Sequence, residues 1–266
     1  MNHTLKYLRL LLAFFRYSLT REMMFKANFI LWIIVDLCWF GALIIFVQVL
    51  FYQTREIAGW NKYQMIMLYG TSHMIQQLFS CFFMTNCTQI PELIRTGRLD
   101  FQLLLPVNTQ FLVSVRNFDP GSLVNSSIGL VFVVYSAVKL DLHPTLIQYA
   151  MYLLLVVNGI FLHYALMMLI VTISFWIIRA QGLVYGYYNL FQIARIPSDV
   201  FKGKIAWYIF MFVLPMLVVA NYPAKIMAFK MSDLTMLWVL GLVGFFVWMA
   251  SRFWNYALRS YTSASS

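Results

Sequence analysis

Residues 90–107 read IPELIRTGRLDFQLLLPV. The stretch holds Glu92, Arg95, Arg98 and Asp100, with Pro91 and Pro106 near its ends and Gly97 in the middle. A segment so charged and so punctuated does not cross a hydrocarbon core. It separates runs that do. Before it lies the apolar run Asn28 to Tyr52, and after it come Pro120 to Lys139 and a long run from Pro144 to about Ile178. The run Ile128 to Val138 does not alternate apolar with polar residues, so these spans are helices and not the strands of a barrel.

The composition agrees. Of 266 residues, 62% are hydrophobic and 11% charged, where a soluble domain carries about a quarter charged. Mean hydropathy is +0.76, and several runs approach the roughly 20 residues that a crossing helix needs. The net charge of +10 would point to nucleic acid in a soluble chain. In a membrane chain, positive-inside topology and anionic headgroups account for it, so membrane lipids are expected partners and nucleic acid is not. The three cysteines, Cys38, Cys81 and Cys87, have no metal-ligand spacing. Cys38 and Cys81 read as small apolar fillers within spans.

Residues 1–26 lack an A-x-A-like cleavage site after their apolar stretch, so they do not read as a signal peptide. Asn2, Lys6, Arg9, Arg16 and Thr20 recur at helical spacing on one stripe. This is the pattern of an amphipathic helix lying in the membrane interface. Arg21 and Lys26 then place this end in the cytoplasm. The second span runs from about Tyr63 to Phe83. Asp119 and Pro120 supply an N-cap and first helical residue for the third, leaving residues 87–119 as a cytoplasmic segment. Arg179 marks the cytoplasmic end of the long fourth helix. Beyond it two topologies fit. In one, Gly182 to Ile196 spans outward and Ala206 to Asn221 is a re-entrant hairpin; in the other, Ala206 to Asn221 is the fifth span, which the cations Arg195, Lys202 and Lys204 favour. NYPAK reads as a further break before the last span, Leu234 to Trp254. Both give six spans with both termini inside. With no internal repeat and no linker, residues 1–266 read as one domain.

Chemistry is sparse. There is no Walker A motif: Gly203-Lys204 is followed by Ile205 and has no glycine five residues before it. There is no catalytic spacing, the histidines are scattered, and no metal site is suggested. The chain is therefore read as binding no cofactor and not as an enzyme. Polar residues at membrane depth are the remaining signals. Asp36 reads as a functional carboxylate or as an acid paired near the end of a long helix. His73, Gln76 and Gln77 occupy one turn of the second span, either facing a translocation path or bonding neighbouring helices. Tyr185, Tyr187, Tyr188 and Phe191 form an aromatic patch that lines a cavity or joins an interfacial belt.

In the quoted stretch, Ile90, Leu93 and Ile94 share one helical face and Glu92 and Arg95 another, with Gly97 as a C-cap and Leu99 and Leu103 to Leu105 as an apolar anchor. That describes a short amphipathic helix at the cytoplasmic face, offering charges to a partner or resting among headgroups.

IRTGRLDFQLLLPV resembles a motif that follows the second span in ABC-2 type permeases, the transmembrane subunits of ATP-binding-cassette exporters. RIPSDVF, followed after a gap by LPMLVVANYPAKIM, is similar to the family's hairpin region before the last span. The resemblance implies an all-α integral membrane fold: six transmembrane helices, an N-terminal interfacial helix, and a re-entrant outer hairpin marked by Pro197, Pro215 and Pro223. It implies that Pro91, Glu92, Ile94, Arg95, Gly97, Arg98, Leu99 and Asp100 couple the chain to a separate cytoplasmic ATPase subunit, which would hold ATP and magnesium. It further implies a second permease chain, identical or paralogous, a place in the inner (cytoplasmic) membrane, and a hydrophobic or amphipathic substrate moved outward. A membrane scaffold or a lipid-modifying enzyme is the competing class.

Overall fold

Asp119 caps the first well-defined crossing helix of the C-terminal half: its side chain accepts from the backbone N–H groups of Gly121 and Ser122 at 3.0 and 3.2 Å, with Pro120 in the first turn. A computed structural model describes residues 3–177, 181–229 and 233–261. Asn2 and Arg179, each given a role above, lie outside the described residues. Among the described residues the chain is helical throughout, with no strand.

The helices are α1 (His3–Met24), α2 (Lys26–Gln53), α3 (Lys62–Phe79), α4 (Ile90–Arg95), α5 (Leu99–Leu103) and α6 (Thr109–Val115). They continue as α7 (Pro120–Lys139), α8 (Leu146–Thr172), α9 (Gln181–Phe191), α10 (Ile205–Tyr208), α11 (Met216–Ala228) and α12 (Asp233–Arg259). Four are long and apolar enough to cross a membrane: α2, α7, α8 and α12. The bent pair Ile205–Val213 and Met216–Ala228 would make a fifth if counted as one span. The molecule is thus a multi-pass, all-α membrane protein. α3 has the length but not the apolarity, because Thr71, Ser72, His73, Gln76 and Gln77 interrupt it, and all five are buried.

α8 is the central post. Its capping box, with Thr145 and Gln148 bonding each other's backbone N–H, sets its start. It ends in a 3₁₀ turn over Ile173–Phe175, earlier than the expected run to Ile178. It packs against α3, α11 and α12. α3 and α7 make the most extensive contact in the fold, and glycine is the reason. A methyl built on Gly129 would lie 2.5 Å from the Gly70 carbonyl oxygen, and one on Gly70 would lie 2.8 Å from that of Gly129. Two backbones touch there, as small residues permit in membrane helices. α2 stands apart, burying Phe40, Ile44 and Val47 and leaving most of its other side chains uncovered. Cys38 lies exposed on it, whereas Cys81 is buried.

The region after α8 departs most from sequence expectation. α9 is followed by 3₁₀ turns at Gln192–Arg195 and Ser198–Phe201, separated by Ile196 and Pro197. The run Ala206 to Asn221 is not one helix. It breaks at Leu214 and Pro215, and the two arms meet at 89°. Proline has no N–H to continue the ladder, and its ring disfavours helix in the residue before it. Pro223, expected within a second break, instead lies inside α11. Asn221 ties α11 to the 3₁₀ segment: its Oδ1 accepts from Ser198 N–H at 2.7 Å, and its Nδ2 donates to the Ile196 carbonyl at 3.0 Å.

The two flanks of the bent pair are tied together. Lys225 Nζ lies 2.7 Å from Asp199 Oδ2, and the same carboxylate accepts from the Trp60 indole at 2.9 Å. Trp60 belongs to the α2–α3 loop. Residues 198–201, the end of α11 and that loop therefore meet at one end of the molecule. α4 to α6 lie at the other, where α4 packs against the 3₁₀ turn after α8.

Candidate functional site

Two constellations stand out, and the first is the quoted stretch. Pro91 starts α4, and Thr96 ends it by donating its hydroxyl to the Glu92 carbonyl at 2.7 Å. Gly97 then takes φ +68°, the left-handed conformation that glycine adopts at no steric cost. That reversal lets α5 begin at Leu99. The expected short helix is therefore two helices with a glycine corner between them.

The corner sorts its side chains sharply. Ile90, Pro91, Ile94 and Leu99 are buried in the chain's own core. They hold the segment in place, whereas the polar residues of the same stretch lie toward the surface. Glu92 and Arg95 form a bidentate pair at 2.7 and 2.9 Å on the outward face, and Arg98 Nε donates to Thr96 Oγ1 at 3.0 Å. The Arg95 guanidinium holds the Glu92 carboxyl below its ordinary range. Asp100 is half-buried and lies near Tyr261, whose phenol is pushed up to about 12 by burial and by that carboxylate. Leu99 is buried, whereas Leu103, Leu104, Leu105 and Phe101 are exposed on the surface of the chain.

α1 straps this segment from one side. Lys6 Nζ donates to the Pro106 carbonyl at 2.8 Å, and Tyr7 Oη accepts from Asn108 N–H at 3.2 Å. Ser18 Oγ accepts from Phe118 N–H at 3.0 Å. Lys6, placed by spacing on a headgroup-facing stripe, thus spends its charge on the chain itself.

The second constellation gathers the polar residues of the spans. Gln77 Nε2 donates to Asp36 Oδ2 at 2.9 Å, and His73 Nε2 lies 3.3 Å from the same oxygen. One turn along α3, Gln76 Nε2 donates to Tyr188 Oη at 3.1 Å and its carbonyl accepts from Arg195 at 2.6 Å. Asp36, His73, Gln76, Gln77 and Tyr188, picked out separately in the sequence, thus form one strip between α2, α3 and α9. Arg195 joins it, a residue that sequence reasoning used only as a topological charge. Tyr185 does not join: it is 73% exposed on another face of α9. Tyr187 and Phe191 turn inward to His163, with which Tyr187 is hydrogen-bonded.

The strip lines space. A cavity of about 480 Å³ is walled by Trp32, Asp36, Trp39, His73, Gln76 and Arg195, among others. A second, of about 460 Å³, shares Asp36, Gln76, Gln77 and Tyr188 with it and extends to Arg21, Glu22 and Asp119. Together they make a polar groove from the α1 end of the molecule to the middle of α3.

A family model described as ABC-2 family transporter protein matches residues 37–265. The chain belongs to that family, and is a permease component of an ABC transporter. No curated protein and no solved structure matches it.

Proposed function

We propose that the chain is the membrane subunit of an ABC exporter. It moves a hydrophobic or amphipathic substrate outward, driven by ATP and magnesium held in a separate cytoplasmic nucleotide-binding subunit, and has no catalytic activity of its own. The observation that carries this reading is the corner at 90–103. Ile90, Ile94 and Leu99 are rooted in the core while Glu92, Arg95 and Arg98 face out, so a force applied to those charges reaches the core through α4 and α5.

On this reading residues 87–119 and both termini are cytoplasmic, in the inner membrane, and residues 54–61 lie outside. The spans are α2, α3, α7, α8, α9 with its 3₁₀ extension, and α12. The bent pair is a re-entrant hairpin entering from the outer side. The Asp199–Lys225 contact supports the hairpin, because it joins residues on either side of the bend. A segment crossing once would hold them a bilayer apart. The uncovered length of α2 suits a second permease chain, with the polar groove as part of the path.

Purification of the chain from its host in mild detergent, beside Glu92→Ala/Arg95→Ala, tests the coupling. Removing both partners leaves no unpaired charge behind, so the variant keeps its fold. An ATPase subunit recovered with the wild type and lost with the variant is expected. A folded wild type that brings down no ATPase would overturn the reading.

A further inference from the structure

The described residues lining the 480 Å³ cavity include one arginine and one aspartate, which do not neutralise each other directly. Among the described residues Arg195 makes no ion pair; it donates to Gln76, and Asp36 is met by Gln77 and His73. Neutral amides therefore stand between the two charges. A pair serving only to hold helices together would close into a direct salt bridge, since desolvating two separated charges is expensive. Arg195 also has spare capacity: its Nε–H is buried with no acceptor, while the guanidinium lines the 480 Å³ cavity. A guanidinium carries five donors and favours phosphate or carboxylate oxygens. Asp36, whose Oδ2 is met by Gln77 and His73, lines the same cavity. Among the described residues, no further Asp, Glu, Lys or Arg lines it. Trp32 and Trp39 stand beside Asp36 in the wall, and Trp39 is 75% exposed on the outside of α2. Indole faces attract cations, most strongly where water is excluded.

We propose that this cavity takes the headgroup of a zwitterionic amphiphile, with its anionic oxygens at Arg195, its cationic nitrogen at Asp36 among the tryptophans, and its tail leaving past Trp39. The assignment deepens the transport reading by naming a substrate class, and rests on the groove being part of the path. A singly charged headgroup would leave one of the two protein charges without a counterpart. A neutral one would leave both.

The test uses the purified full chain in maltoside detergent and four tail-matched probes: alkyl phosphocholine, alkyl phosphate, alkyl trimethylammonium and alkyl maltoside. Phosphocholine without a tail is a fifth. Binding is read by native mass spectrometry. The wild type should hold alkyl phosphocholine about tenfold tighter than either probe whose charge is of one sign only, the discrimination expected when one charge contact is lost. Arg195→Gln should erase the preference over alkyl trimethylammonium, and Asp36→Asn that over alkyl phosphate. Arg195→Lys, which keeps the charge, checks that loss in Arg195→Gln is not misfolding and should retain part of the preference. Equal affinity for all four headgroups, tail-less phosphocholine binding as tightly as the alkyl form, or a preference unchanged in both charge-removing variants would each overturn the proposal. The ATPase capture described above does not depend on these residues, so the two readings fail separately.

Discussion

Asp199 sits in a shell of donors. Burial alone would raise its carboxyl, but hydrogen bonds from Lys202, Lys225 and Trp60 outweigh that and hold it well below the ordinary carboxylate range. A depressed carboxyl contributes stability above its unfolded pKa of about 3.9 and loses it as pH falls through the folded value. The stability difference between wild type and Asp199→Asn, followed by thermal unfolding in detergent, should therefore be constant from neutral pH to about pH 5 and shrink below about pH 4. Trp60→Phe keeps an aromatic ring but removes the charge-assisted donor and leaves a void where the buried indole packed. It should cost about 2–4 kcal/mol in the same assay. Single residues were the least legible scale in the sequence. Arg195 and Lys202 read as cytoplasmic by charge bias, yet each is engaged, one by Gln76 and the other by Asp199. A cation with a partner in the fold carries no information about which side of the membrane it occupies. The reverse held for Asp36, His73, Gln76 and Gln77, which stand out because polar groups at membrane depth are costly and so rarely idle.

Among the elements, α7 was legible to the residue because its start is written in local chemistry: an aspartate cap, then proline. The start of α3, placed only at about Tyr63 from the sequence, is set by a capping box between Asn61 and Gln64. The α3–α7 crossing was not legible, since nothing in the sequence says that Gly70 and Gly129 face each other. It is open to a direct check. Gly129→Ala should destabilise the protein by about 1–3 kcal/mol, as overpacking does, because the new methyl meets backbone that cannot swing away. Gly244→Ala on α12 is the control. No atom lies within 4 Å of its added carbon, so it should be neutral or gain about 0.5–1 kcal/mol from helix propensity. If both substitutions behaved alike, close backbone contact would not be what sets the crossing. The stretch from Ala206 to Asn221 shows the limit of hydropathy. Its composition suits a span, and only the angle at Pro215 separates one crossing from two arms.

For the whole molecule, the membrane class and the helix end at Gly97 could be read before any coordinates. The pairing of residues 198–201 with the end of α11 could not, because it joins positions 26 apart through a bend that no local pattern encodes. On the proposed topology, Lys204→Cys labels with an impermeant maleimide from outside the cell and Arg98→Cys does not. Labelling of both only after permeabilisation would return Ala206 to Asn221 to a single crossing. The most direct test of the central claim is site-directed cross-linking in the native membrane with Cys38→Ala as background, since Cys81 and Cys87 are buried. A short bifunctional reagent on Arg98→Cys should join the chain to a subunit that hydrolyses ATP, while Glu56→Cys, on the α2–α3 loop, should join to none. Cross-linking to such a subunit from Glu56→Cys, or none from Arg98→Cys in a folded chain, would contradict the account.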